Sequence, residues 1–173
     1  VLPPKAEVID MIRGKTGALL AFSAECGAMA GLDTPDWTAK PVATLAEFAS
    51  ELGYAFQLCD DLLGVYGDAA TFGKPLCSDF REGKPTVLYL EALERLTESG
   101  RAELAALMKR PAYTETEIAK IRTLLEECGA RAAVVRAAEE SSDKAMANLS
   151  SLPENKYRSL LEELAEELLK RNV

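Results

Sequence analysis

Apolar side chains recur at Leu45, Phe48, Leu52, Phe56, Cys59, Leu63 and Tyr66, a spacing of three or four that only an α-helix turns to one side. The stripe predicts one long helix that ends near Gly67. The same period links Val8, Ile12, Leu19 and Phe22 after Pro3-Pro4, so a first helix is expected over about residues 5 to 30. Beyond Gly83, Pro85 restarts a helix to about Leu96, and Gly100 and Pro111 punctuate shorter pieces. Thr114 with Glu117 forms a capping box, Gly129 separates two helices, and Ser151 with Glu154 is read as the cap of the last. No strand-like alternation, internal repeat or low-complexity tract interrupts this pattern. The expected class is all-α, as a single domain over residues 1–173.

One segment does more than build helices. The run from Gly53 to Gly64 contains Phe56-Gln57 and Asp60-Asp61, and is followed by Gly73-Lys74-Pro75 and by Asp79 to Thr86 with Lys84. Asp60 borders an apolar stripe, and burying a carboxylate without a partner is costly. Adjacent acids ahead of two lysines suit a metal-bridged diphosphate: carboxylates hold Mg²⁺, the metal bridges to phosphate, and ammonium groups take the remaining charge. Mg²⁺ commonly binds through one or two carboxylates plus water and phosphate. Asp60 as direct ligand, Asp61 holding a ligand in place or binding through water, and Gln57 as hydrogen-bond donor therefore suffice. On the first helix Lys15 falls on the same side as Ile12 and Leu19, an unusual place for a lysine without a task. Residues 68–83 read as an ordered, functional loop.

Composition excludes several alternatives. The chain has no histidine, which removes the commonest general base and transition-metal ligand and rules out Ser-His or Cys-His triads within it. Cys26, Cys59, Cys77 and Cys128 are widely spaced and read as buried thiols, not as a zinc site or disulfide frame. A net charge of −8 argues against nucleic acid, and the acid-rich C-terminal helices read as solvated faces. No apolar run reaches the roughly 18 residues of a membrane span, so a cytoplasmic location is expected.

The order and spacing of Phe56-Gln57, Asp60-Asp61, Gly73-Lys74 and Asp79 to Thr86, with Gly14-Lys15-Thr16-Gly17 upstream, resemble the trans-isoprenyl (polyprenyl) diphosphate synthases. The matching motifs lie within residues 13 to 86. The resemblance implies the terpenoid synthase helical bundle, here its C-terminal portion, and Mg²⁺-dependent head-to-tail condensation of isopentenyl diphosphate with an allylic diphosphate. Geranylgeranyl or farnesyl diphosphate is the implied product. By the same resemblance Lys15, Thr16, Gln57 and Lys74 are catalytic, Lys15, Thr16, Phe56, Gln57, Lys74 and Lys84 hold diphosphate, and Asp60 and Asp61 hold the metal. Asp79 either reaches the metal through water or orients Lys84; Asp68 and Arg81 have no assigned role.

Two departures matter. Gly64 stands where the family often has a third aspartate, and the family's first aspartate-rich motif is absent from the 173 residues. The chain is therefore expected to be a C-terminal half that works with the N-terminal half of the same enzyme, as a homodimer. A non-catalytic partner subunit or inactive fragment is the alternative. A terpene cyclase would need a different spacing after Asp60, and a plain helical interaction module leaves Lys15, Asp60, Lys74 and Lys84 unexplained.

Overall fold

A computed structural model describes residues 2–68, 73 and 75–169. All regular structure among them is helical: α1 (Lys5–Ile12), a π-helical segment (Arg13–Gly17), α2 (Ala18–Leu32), α3 (Lys40–Tyr66), α4 (Ser78–Glu82), α5 (Val87–Arg95), α6 (Glu98–Ala106), α7 (Glu115–Glu127), α8 (Ala130–Ser150) and α9 (Lys156–Leu169). None of these helices is long and apolar enough to cross a membrane. The described residues form two compact units. One takes in residues 2–9 and the described part of 58–136; the other takes in residues 10–57 and 137–169.

The first unit buries Leu58 and Leu62 from the end of α3, Leu88 of α5, Leu104 of α6, and Ile121 and Leu125 of α7. Helices α5 and α6 both pack on α7. Phe80 of α4 meets Tyr89 of α5 edge-on, with ring centroids 5.8 Å apart. Arg122 of α7 donates to the carbonyl of Val65 at 2.9 Å, which ties the last turn of α3 to α7. In the second unit Phe48, Ala49 and Leu52 of α3 form a core with Ala145 and Leu149 of α8 and Ala165 of α9.

The local signals hold at most boundaries. Thr114 and Glu117 make the reciprocal capping box, Thr86 caps α5 by accepting from the Tyr89 amide, and Gly129 takes φ +76° between α7 and α8. Gly67 follows the last residue of α3, at a position where a Cβ would lie 2.6 Å from the Leu63 carbonyl oxygen. Three expectations are corrected. Gly100 lies inside α6, whose start is set by Thr97 accepting from the Gly100 amide. Ser151 donates back to Asn148 at the end of α8, and Asn155 caps α9 by accepting from the amides of Tyr157 and Arg158. Within residues 68–83, Ser78–Glu82 is a helical turn, entered through Cys77 at φ +58° and left through Gly83 at φ +70°.

The largest correction concerns the first helix. Residues 5–32 are helical throughout, but the stretch is not one α-helix, because Arg13–Gly17 widens into a π turn closed by the Ala18 amide donating to the Arg13 carbonyl. A π turn adds a residue and rotates everything after it by roughly a quarter turn. Val8 and Ile12 are accordingly buried, whereas Leu19 and Phe22 are 68% and 60% exposed. Gly17 is turned inward instead, against α3.

Candidate active site

The π turn sets the first group of predicted residues. Lys15 is exposed on it and Thr16 is half-buried. The apolar side on which Lys15 was placed does not continue to Leu19 past the widened turn. Thr16 Oγ1 donates to Gln57 Oε1 of α3 at 3.4 Å. The segment lies close on α3: a Cβ on Gly17 would be 3.3 Å from the Ser50 carbonyl oxygen, and one on Gly53 would be 3.0 Å from Gly17 Cα. Glycine at both crossing positions is what lets Lys15 and Thr16 come this near to the Gln57 helix.

Farther along α3, Phe56, Gln57, Cys59 and Asp60 are half-buried, while residues 61–65 are buried without interruption. Phe56 and Cys59 thus share the half-open side with Gln57 and Asp60, and the core residues the stripe omitted are Leu58, Leu62 and Val65. Of the two acids Asp61 is the buried one, at 7% exposure, and Asp60 is the more open. Burial, and after it the Asp60 carboxylate, push the Cys59 thiol above its ordinary range.

The second group lies on α4 and the turn after it. Lys84 Nζ is 3.0 Å from Asp79 Oδ1 and 2.8 Å from Glu82 Oε2. Glu82 first, and then Asp79, hold the ammonium above the usual lysine range, so Lys84 stays cationic through neutral pH. Asp79 thus pairs with Lys84. Arg81 and Asp68 are exposed. Lys74 lies outside the described residues.

Gly64 and Asp79 are neighbours. The Gly64 carbonyl accepts from the Cys77 amide at 2.7 Å, and a Cβ on Gly64 would stand 3.5 Å from Asp79 Oδ2, an ordinary contact. The carboxylate of Asp79 on α4 therefore comes up to the helix position where the family often has its third aspartate. No sequence signal links positions fifteen apart across a loop. Because nothing closer than 3.5 Å opposes a methyl group, Gly64→Ala is expected to raise stability by up to about 1 kcal/mol, the helix-interior advantage of alanine. Thermal unfolding of the variant checks this, and a lower Tm would show that the contact with Asp79 does not admit a methyl group.

The donor set is one of hard oxygens with no imidazole. Among the described residues no group of three or more His, Cys, Asp or Glu is placed to hold a metal ion. Asp60 and Asp61 offer carboxylate oxygens, the donor type that a small divalent cation takes alongside water and phosphate.

The described residues define an all-helical protein that carries an Asp-Asp pair on a long helix, followed by a lysine held between acids. The family model for polyprenyl synthetase matches residues 5–125, and the chain belongs to that family. It is 33% identical over 147 residues to geranylgeranyl diphosphate synthase of Saccharolobus solfataricus, covering 85% of this chain and 43% of that protein. The structure of geranylgeranyl pyrophosphate synthetase from Pyrococcus horikoshii superposes with a TM-score of 0.87 at 29% identity, over 99% of this chain and 50% of that one. Geranylgeranyl pyrophosphate synthase from Corynebacterium glutamicum, complexed with isoprenyl diphosphate and magnesium, matches with a TM-score of 0.71 at 31% identity, over 78% of this chain and 38% of that one. The chain thus spans half or less of the length of these relatives.

Proposed function

We propose that this chain supplies the diphosphate-activating half of a prenyltransferase that condenses isopentenyl diphosphate with an allylic diphosphate, giving geranylgeranyl or farnesyl diphosphate in the cytoplasm. The observation that carries this reading is the half-open Asp60 beside buried Asp61, in the unit that also holds the Asp79–Lys84 pair. Asp60 and Asp61 would hold Mg²⁺, which when bound supplies positive charge to the oxygens of the leaving diphosphate.

Lys84, kept cationic by Glu82 and Asp79, offsets negative charge that grows as the allylic carbon–oxygen bond breaks. Lys74 is assigned the same task. Lys15 and Thr16 contact the allylic diphosphate and face the reacting carbons. Gln57 orients Thr16 through their hydrogen bond and donates to the substrate. Phe56 flanks Gln57 on the same helix and keeps water from the allylic cation. The cation alkylates the double bond of isopentenyl diphosphate, and the released diphosphate takes the proton lost afterwards.

The functional unit is proposed to include the N-terminal half of the enzyme and a second copy of the protein. Helix α2 buries none of its residues in this chain, and its exposed Leu19 and Phe22 support a covering partner.

The test is incubation of the intact protein with isopentenyl diphosphate, an allylic diphosphate of ten or fifteen carbons and Mg²⁺. A product longer by one five-carbon unit is expected, with inorganic diphosphate released and activity lost in EDTA. Failure to elongate any allylic primer, with diphosphate still bound, would replace this reading by that of a non-catalytic partner subunit.

A further inference from the structure

The π turn is held by a clamp that no motif announces. Arg13, its first residue, donates from Nη1 to Glu51 Oε1 of α3 at 2.8 Å, and its guanidinium lies 4.6 Å from the centroid of the Tyr54 ring. Glu51 is held in turn from α8, where the Ser141 hydroxyl approaches the Glu51 carboxylate and its backbone carbonyl, the latter at 3.1 Å. The Glu51 side chain is 19% exposed and that of Arg13 34%, so this ion pair is shielded more than a surface pair. Burial works to raise the Glu51 carboxyl, but the bonds from Arg13 and Ser141 outweigh it and hold it below the usual range.

A π turn inside a helical run is a rare, less favourable geometry that persists where surroundings over-determine it. Here Arg13 is anchored at the start of the turn and Gly17 is seated on α3 at its end, with Lys15 and Thr16 between. We propose that Glu51 is a positioning residue: by fixing Arg13 to α3 and α8 it sets the π turn that presents Lys15 and Thr16 to the substrate diphosphate. Glu51 touches no reacting atom; it acts through Arg13. The substrate end of this inference rests on the function proposed above, whereas the clamp on the turn does not.

Two measurements on the intact protein separate the two. Amide hydrogen exchange reads the turn: in Glu51→Gln the amides of residues 14–18, including the Ala18 amide that closes the turn, are expected to exchange about tenfold faster, with the amides of α7 unchanged. Calorimetric binding of inorganic diphosphate with Mg²⁺ reads the consequence. Glu51→Gln is expected to weaken binding about tenfold in the parent protein and clearly less in a Lys15→Ala background, because much of the loss passes through Lys15. Unchanged exchange at 14–18, or an equal loss of binding in both backgrounds, overturns the proposal. If Lys15→Ala binds diphosphate as tightly as the parent, the role given to Lys15 falls and with it the positioning step, while faster exchange at 14–18 would leave only a structural clamp. Should Glu51→Gln not fold, Arg13→Gln removes the same bond from its more exposed side and carries the same expectations.

Discussion

Replacing Asp60 by alanine in the intact protein is expected to lower turnover about a hundred- to a thousandfold, with helical content unchanged. The size follows from the role proposed for Asp60, since removing one group that stabilises developing charge is worth several kcal/mol at the barrier. The fold should tolerate the change, because Asp60 sits on the half-open side of α3 and alanine is the better helix former. Steady-state kinetics beside circular dichroism decides it, and near-normal turnover would remove Asp60 from the metal site. Burial raises the Cys59 thiol most and the Asp60 charge adds to this, so the variant should also lower the Cys59 pKa part of the way toward its ordinary value. A thiol titration that does not move would mean that the Asp60 charge is not felt there.

Leu58→Ala is expected to cost about 2–5 kcal/mol of stability, the range for emptying a closely packed leucine site. Leu58 is fully buried, yet it lies next to Gln57 and two residues from Asp60 on the same helix. The pair of variants therefore separates two faces of one helix: Asp60→Ala should spare stability and remove turnover, whereas Leu58→Ala should remove stability. Urea denaturation measures the second, and a loss under about 1 kcal/mol would show that this side of α3 is not the packed one.

The motifs behind the candidate site were legible because their signals are local. Phe56-Gln57, Asp60-Asp61 and Lys84 are read from spacing along a helix and a turn, and spacing survives whatever the helix packs against. The side of α3 that faces the core was read less well. A stripe through Phe56 and Cys59 selected the half-open face, and Leu58, Leu62 and Val65 were passed over because residues 61–65 are buried all round. A helix buried on most sides has no single apolar stripe to find.

The sequence by itself determined the all-helical class, the capping box at Thr114, the end of α3 at Gly67 and membership in the polyprenyl synthetase family. Each rests on neighbours in sequence or on a motif of fixed spacing. Tertiary structure alone decided the π turn at Arg13–Gly17, the bond between Arg13 and Glu51, and the approach of Asp79 to Gly64. These join positions fifteen to thirty-eight residues apart, or shift a helical periodicity by inserting one residue. The free energy that selects them comes from packing and charge pairing across elements, which no local propensity encodes.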